Sequence, residues 1–541
     1  MRLKARKRTL RLAASFIVVG AICAGAVKGF AQSAPAGAQR IALVIGESAY
    51  KTGPLSSAAN DAGLIADTLT REGFDVTGAA DLDQDGLRKA LREFVEKATA
   101  AGPDAIAFVY ISGRGLQYAG DNYIAPVEAS VPRATNAPLE AVRLTDYLQP
   151  LSQLPLKAQV VVLDAARINS FAQTGDPLAS GLALVEPNDG GLYAFNAAPG
   201  SVAPDETAQY GVYAQALAEA LRQPGLPLDQ AFNQTRLRVS ELTKGAVIPW
   251  SESKLAPAPV LLPAAPGAPP PAVEATVKRL RARPIREYPV DEAFAAALER
   301  DSIQGYEDFV AVYPNTPYSP RARAVLAVRR EAISWRRAWD VNTPNAYWTY
   351  LQLYPHGPHA FDARRRLAVL SAPPAPPANF DIVEFDVPPP PPAETVYFRR
   401  PYVVFDDPEW GPPPPPPDVF LPPPVAIVDA APPPPPALGL LPLPVVVAPI
   451  VGAALVHRMG AFRAPTVVQN NVTIANTYYN NATRQVQAAP LAPSPGAPPP
   501  TPGRPGAPAY SPATAQPQGQ PAPGAQAPAA PVSGPPQPQP A

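Results

Sequence analysis

The chain has 541 residues, and its 45 Lys and Arg residues balance 45 Asp and Glu residues, so the formal net charge is zero. This length predicts about three domains, and the balanced charge gives no indication of a nucleic acid partner. The single cysteine, Cys23, excludes an intramolecular disulfide and a thiolate metal centre. We therefore expect no cofactor and no metal.

The N-terminus has the order of a secretory signal. Basic residues at 2–11 precede an apolar run at 12–27 and the sequence Gly29-Phe30-Ala31-Gln32. This pattern predicts a signal peptide over 1–31 with cleavage after Ala31, and hence a periplasmic or secreted protein. An uncleaved anchor is the alternative and the one expected membrane contact, but the apolar run is short for a span. A lipoprotein signal at Cys23 is disfavoured because the bulky Ile22 precedes it.

Short apolar runs alternate with amphipathic helices over residues 38–258. Runs at 40–46, 105–111, 159–163 and 191–195 predict buried strands, and apolar spacing at 58–69 and 87–98 predicts helices. This alternation is typical of an α/β domain with a mainly parallel sheet and helices on both faces. Functional groups of such sheets lie at the carboxyl ends of the strands.

Two of these strands run into polar motifs at their carboxyl ends. The strand at 105–111 leads to Ser112-Gly113-Arg114-Gly115, and the strand at 159–163 leads to Asp164-Ala165-Ala166-Arg167. These two motifs, together with further stretches that follow the family's order along the chain, resemble the caspase p20 domain (peptidase C14). The resemblance is closest to the bacterial caspase-like or metacaspase-related group of that family. The further stretches are 42–46, 48–50, 60–62, 115–117, 122–126, 198–200, 211–213 and 249–250.

The resemblance implies a caspase-like three-layer sandwich and a His/Cys dyad for proteolysis. Arg114 occupies the position of the histidine, and Ala166 occupies that of the cysteine. Alanine offers no nucleophile, and an arginine stays protonated and cannot act as the base. The region contains neither Cys nor His, so Ser112 and Ser170 beside the site lack a base other than a carboxylate. We therefore predict that the catalytic dyad is absent.

The resemblance also assigns roles in substrate binding. Asp61 and Asp164 match acidic positions that accept a substrate Arg or Lys, and the backbone N–H groups of Gly115 and Ala166 match an oxyanion hole. The acids could still bind a basic peptide without cutting it. The preferred alternative is that Asp164 pairs with Arg114 or Arg167 across the vacated site, because an arginine can fill the cleft with its own cation.

A sequence repeat follows a Pro/Ala-rich linker that we place at 259–283. Within 284–370, a set of aromatic, proline and Ala-Arg positions recurs with a period of 41, which predicts stacked helical hairpins similar to tetratricopeptide arrays. Segments 294–300 and 325–339 are candidates for capping or bridging helices, and the repeat is either a peptide-binding surface or a spacer. The recurring pairs are Tyr306/Tyr347, Phe309/Tyr350, Tyr313/Tyr354, Pro314/Pro355, Pro317/Pro358, Ala322/Ala363, Arg323/Arg364 and Leu326/Leu367.

Two histidines lie in the turn of the second unit. His356 and His359 belong to a Pro-His-Gly-Pro-His sequence, and no third ligand is implied by the pattern. We therefore predict a solvated turn in preference to a metal site.

Residues 371–541 hold 48 of the 78 prolines, with polyproline at 388–392, 412–417 and 432–436. Such a composition predicts a disordered tail that contains stiff polyproline II segments. An apolar stretch at 437–456 is a poor candidate for a membrane span because three prolines interrupt it.

Three functions remain open. The first is an exported caspase-like pseudopeptidase that binds proteins or peptides, or serves as a scaffold, through its cleft, its repeats or its tail. The second is an active cysteine-type endopeptidase with a preference for basic residues, as the family implies, although Arg114 and Ala166 oppose it. The third is a structural envelope protein. We expect a monomer.

Overall fold

The computed structural model describes residues 39–168, 171–269, 271–399 and 403–405. The predicted signal peptide at 1–31, Ser170 and most of the predicted tail lie outside the described residues. Within the described ranges, no helix combines the length and the apolar character needed to cross a membrane.

A central sheet with strand order β2-β1-β3-β7-β8-β9 organises the N-terminal domain. All pairings are parallel except that of β8 with β9. The inner strands β3 and β7 are buried along their whole length, as expected for a sheet covered on both faces. The strands are β1 (Arg40–Gly46), β2 (Asp75–Ala80), β3 (Ile106–Ser112), β7 (Ala158–Asp164), β8 (Gly191–Phe195) and β9 (Trp250–Ser253).

Helices cover both faces of this sheet. The chain moves from β1 outward to β2 and then back across to β3, so right-handed crossovers place the two connecting helices, α1 and α2, on opposite faces. Helix α1 packs against α5, and α2 packs against α4, which completes the three layers. The predicted three-layer α/β fold is confirmed. The helices are α1 (Ala58–Arg71), α2 (Gln84–Ala101), α3 (Ala137–Glu140), α4 (Thr145–Ser152), α5 (Val212–Leu221) and α6 (Leu228–Leu242).

A small antiparallel sheet follows β3. It has the order β4-β5-β6, with β4 at Gly115–Tyr118, β5 at Asp121–Ile124 and β6 at Val142–Arg143. The turn between β4 and β5 is Ala119-Gly120, and both residues have positive φ angles, 51° and 83°. A two-residue loop with this backbone suits the twist of a tight hairpin.

The predicted helical hairpins are present with the predicted period. Helix α9 (Ile303–Val312) and α11 (Pro344–Leu353) are 41 residues apart, as are the starts of α10 (Ser319–Val341) and α12 (Ala360–Val369). Hydrogen bonds recur at the same interval. The Tyr306 hydroxyl donates to Asp301 at 2.9 Å, and the Tyr347 hydroxyl donates to Asn342 at 2.8 Å. Helix α8 (Val290–Arg300) packs on α9 as the predicted capping helix.

The predicted linker at 259–283 contains more structure than its composition suggested. Residues Ala272–Arg281 form helix α7, which packs against α8. Val277 and Leu280 are buried, and their spacing of three residues places them on one side of the helix. Leu261 is also buried in the core of the α/β domain, so the predicted linker is attached to protein on both sides.

Part of the predicted disordered tail is structured. Residues 371–399 are described, and a 3₁₀ helix at Pro392–Phe398 packs on α10. Glu394 is buried and bonds Arg330 at 3.1 Å, while Tyr397 and Phe398 join the core of the repeats. These three residues are exceptions in the proline-rich composition from which we predicted disorder.

The repeats dock onto the α/β domain through the β4–β5 hairpin. The backbone N–H of Ala119 donates to Asp362 at 3.1 Å, and Gly120 lies so close to the Trp339 ring that a Cβ atom there would be 2.9 Å from it. His359 bridges the two parts, with Nδ1 2.6 Å from Glu331 and Nε2 2.8 Å from Gln117. The prediction of a solvated turn is therefore wrong for His359, which is buried and stacked on an indole, whereas His356 is exposed.

Candidate functional site

The two predicted dyad positions lie at one edge of the central sheet. Strands β3 and β7 are neighbours in parallel register, with Ser112 opposite Asp164. Arg114 and Ala166 each follow two residues beyond this pair. The Gly115 N–H donates to the Ala165 carbonyl oxygen at 2.8 Å, which joins the two motifs directly.

The Arg114 guanidinium occupies the mouth of this cleft. It donates to the Gly53 carbonyl oxygen at 2.7 Å, to the Ile168 carbonyl oxygen, and to the Asp205 carboxylate at 2.8 Å. Its charged end also lies over the Tyr50 ring, 5.7 Å from the ring centroid. Only 5% of the side chain is exposed. A single cation therefore fastens three loops together where a substrate would enter.

The predicted substrate-binding acids surround another arginine of the same chain. Arg167 donates to Asp164 at 2.7 Å and lies 3.9 Å from the Asp61 carboxylate. The Tyr110 hydroxyl donates to the second oxygen of Asp164, and the Gly211 N–H donates to Asp61. All three charged side chains are almost completely buried. Of the two partners predicted for Asp164, Arg167 is the one found.

This cluster is electrostatically unbalanced. Burial and the neighbouring Asp164 carboxylate raise the pKa of Asp61 to about 8, although Arg167 opposes the shift. Among the described residues, one Asp61 oxygen has no hydrogen-bond partner. Burial lowers the pKa of Arg167, but Asp164 and Asp61 outweigh burial and raise it on balance. Two carboxyl groups thus share one permanent cation, which favours a proton on Asp61.

The predicted oxyanion-hole donors are not free. The Gly115 N–H donates to the Ala165 carbonyl oxygen, and the Ala166 N–H donates to the Asn196 carboxamide oxygen at 2.9 Å. Both N–H groups therefore have acceptors inside the protein. The sequence carried no signal for this, since Asn196 comes 30 residues after Ala166 in the chain.

A strap of chain covers the Ala166 position. The Ala203 N–H donates to the Ala166 carbonyl oxygen at 2.9 Å, and Ser201 pairs with Val403 from the far end of the described chain. Ala166 is 1% exposed. A side chain at this position therefore faces protein and not the solvent.

Ser112 is buried, and its hydroxyl has no hydrogen-bond partner. Ser170 lies outside the described residues. No cluster of three metal-ligating side chains occurs in the part of the chain that the structure describes.

A comparison with protein families agrees with this arrangement. A family model described as the caspase domain (Peptidase_C14) matches residues 39–258. These residues form a caspase domain. Caspase-1 of Spodoptera frugiperda is one solved structure similar to the chain, with 16% sequence identity, a TM-score of 0.32, and coverage of 42% of this chain and 91% of that chain. No curated protein matches the sequence.

Sequence reasoning found the caspase domain and its two motifs but missed the partners of Arg114. Gly53 and Asp205 lie in loops 61 and 91 residues away from Arg114. Asp205 is an exposed acidic residue in a polar loop. No periodic pattern in the sequence identifies it as a partner of Arg114.

Proposed function

We propose that this protein is an exported caspase-like pseudopeptidase that serves as a non-catalytic scaffold, with Arg114 and Ala166 at the positions of the dyad. The single observation that carries the proposal is the Arg114 guanidinium, which bonds Gly53, Ile168 and Asp205 across the entrance of the cleft. An arginine held by three acceptors can neither take a proton from a nucleophile nor leave space for a peptide.

Two further features support loss of the cleft as a binding site for basic peptides. Arg167 supplies to Asp61 and Asp164 the guanidinium that a basic substrate would bring. The N–H groups that would polarise a substrate carbonyl have acceptors within the domain. Stabilisation of an oxyanion requires donors aimed at the reacting oxygen. The scaffold role therefore falls to the surfaces outside the cleft, and the export signal at 1–31 would take the protein to the periplasm or beyond.

The test is a peptidase assay on the full chain. Fluorogenic peptides that end in Arg or Lys would be offered to the wild type and to the Arg114→His/Ala166→Cys variant. We expect no cleavage by either protein, because Arg167 still pairs with the acids in the variant. Cleavage by the wild type would overturn the proposal. A thiol-alkylation assay on the variant provides the control, and slow reaction in the folded state is expected since position 166 is buried.

A further inference from the structure

An open cavity of about 660 Å³ lies on the outer side of the second repeat unit. Helix α11 forms one wall, and the segment at 377–382 forms the other. Cavities of roughly 300–1,000 Å³ are the usual size of small-molecule sites. The residues that line this cavity lie outside the caspase domain at 39–258.

An aromatic pair lines the cavity. Trp348 and Phe380 lie edge to face, with ring centroids 5.9 Å apart and an interplanar angle of 69°. The Trp348 indole N–H donates to the Pro373 carbonyl oxygen at 2.9 Å, which fixes the orientation of the ring. The site therefore contains one rigid aromatic surface instead of a series of apolar pockets.

Four polar side chains surround this aromatic pair. On α11, Asn345 and Gln352 lie three residues before and four residues after Trp348, so helical spacing places all three on one face. Asn379 and Asp381 contribute from the opposite wall. Within the described residues, none of these four side chains has a hydrogen-bond partner. Three carboxamides and one carboxylate are thus available to a ligand.

The cavity-lining residues of α11 do not recur in the first repeat unit. The positions 41 residues before Asn345, Trp348 and Gln352 hold Gln304, Glu307 and Ala311. The buried aromatic positions of the repeat are kept at this interval, as with Tyr306 and Tyr347. The cavity-lining set therefore belongs to the second unit alone.

We propose that this cavity binds a neutral oligosaccharide. Carboxamides both donate and accept hydrogen bonds, as sugar hydroxyls do, and a carboxylate accepts from two hydroxyls at once. The negative face of an aromatic ring attracts the weakly positive C–H groups of a sugar ring. The one charged group in the cavity, Asp381, repels phosphate and sulfate. An extended peptide requires a row of side-chain pockets, and the cavity offers a single aromatic pair.

The test is a titration of the full chain with maltotriose, cellotriose and chitotriose, monitored by calorimetry. At least one trisaccharide is expected to bind in the millimolar range or tighter. The Asn345→Ala/Gln352→Ala variant should weaken binding by about tenfold or more, because two hydrogen bonds are lost. Neither side chain has a hydrogen-bond partner among the residues that the structure describes, so this variant should remain folded. Gln304→Ala, at the equivalent position of the first unit, should bind like the wild type.

Three results would overturn the proposal. One is that none of the three sugars binds. Another is that the double variant binds as tightly as the wild type, which would place the sugar elsewhere. The last is that a proline-rich peptide such as Ala-Pro-Pro-Ala-Pro-Pro binds in place of the sugars and loses affinity in the double variant. That result would identify the cavity as a peptide groove. Peptidase activity is not a readout here, so a failed titration leaves the proposed pseudopeptidase function intact.

Discussion

The Arg114 guanidinium donates to the Asp205 carboxylate across the entrance of the caspase cleft, at 2.8 Å. The contact joins the end of β3 to a polar loop 91 residues later in the chain. The arginine is buried, whereas the Asp205 side chain is 43% exposed. The two residues should therefore contribute unequally to stability.

Replacement of the arginine tests this inequality. Arg114→Ala leaves the carbonyl groups of Gly53 and Ile168 without their donor, and we expect the free energy of unfolding to fall by about 1–3 kcal/mol. Asp205→Asn keeps both carbonyl contacts and weakens a partly exposed ion pair, so a loss of about 0–1 kcal/mol is expected. Chemical denaturation of the two variants measures both values. Equal losses would show that the surface ion pair, and not the carbonyl contacts, holds the entrance closed.

The buried acid cluster predicts a pH dependence. Burial and Asp164 raise the pKa of Asp61 to about 8, above the unfolded value of about 3.9. The folded state therefore holds a proton that the unfolded state releases between these values. The contribution of this proton to stability is complete below about pH 4 and is lost as the pH rises through about 8. The limiting slope for one proton is about 1.4 kcal/mol per pH unit.

An Asp61→Asn variant should lose this dependence, because an amide does not titrate. Thermal or chemical unfolding from pH 5 to pH 8 should give a smaller decline in stability for the variant than for the wild type. Asp85→Asn is the control, since the side chain of Asp85 is 91% exposed. A wild-type stability that rises over this range would contradict the prediction.

The two histidines of the second repeat unit allow a controlled test of the contact between the repeats and the α/β domain. His359→Ala removes one hydrogen-bond partner each from the buried Glu331 carboxylate, which keeps the Tyr350 hydroxyl, and from Gln117, and we expect a loss of about 1–3 kcal/mol. His356→Ala alters an exposed position of the same turn and should change stability by less than about 0.5 kcal/mol. Hydrogen exchange at β4 and β5 should accelerate in the first variant only. Similar exchange in both variants would mean that His359 does not secure the junction.

A pair of glycines tests how closely the hairpin and the repeats approach each other. Gly120 and Gly73 have nearly the same φ, 83° and 79°, so alanine strains the backbone at both positions. Only at Gly120 does the new methyl group meet a ring, that of Trp339, at 2.9 Å. Gly120→Ala should therefore be more destabilising than Gly73→Ala by about 1–3 kcal/mol. Equal losses in denaturation experiments would show that the indole moves aside freely.

The elements that the sequence predicted well are those with a strong local pattern. The strands β3 and β7 are uninterrupted apolar runs, and the 41-residue period determines four helices of the repeat. The β4–β5 hairpin was not predicted because its strands are short and partly polar. Helix α7 was not predicted because prolines surround it, although the three-residue spacing of Val277 and Leu280 is a weak indication of a helix.

Prediction of the site was limited by contacts between distant loops. The pairing of Arg167 with Asp164 lies within one motif, three residues apart, and was among the alternatives that the sequence offered. The acceptors of Arg114 and of the Ala166 N–H come from other loops, and their side chains follow no period. His359 shows the same limit. Its turn has a polar composition, and its burial follows from docking on Gln117, 242 residues earlier in the chain.

The pairing of Val403 with Ser201 determines where the last described residues lie. The backbone of Val202 donates to the Val403 carbonyl oxygen at 3.1 Å, on the same strap that covers Ala166. Residues 403–405 consequently lie beside the caspase cleft and not at the last helix of the repeats. A protein that binds these residues would be held next to Ala166, and a force on it would act first on the strap.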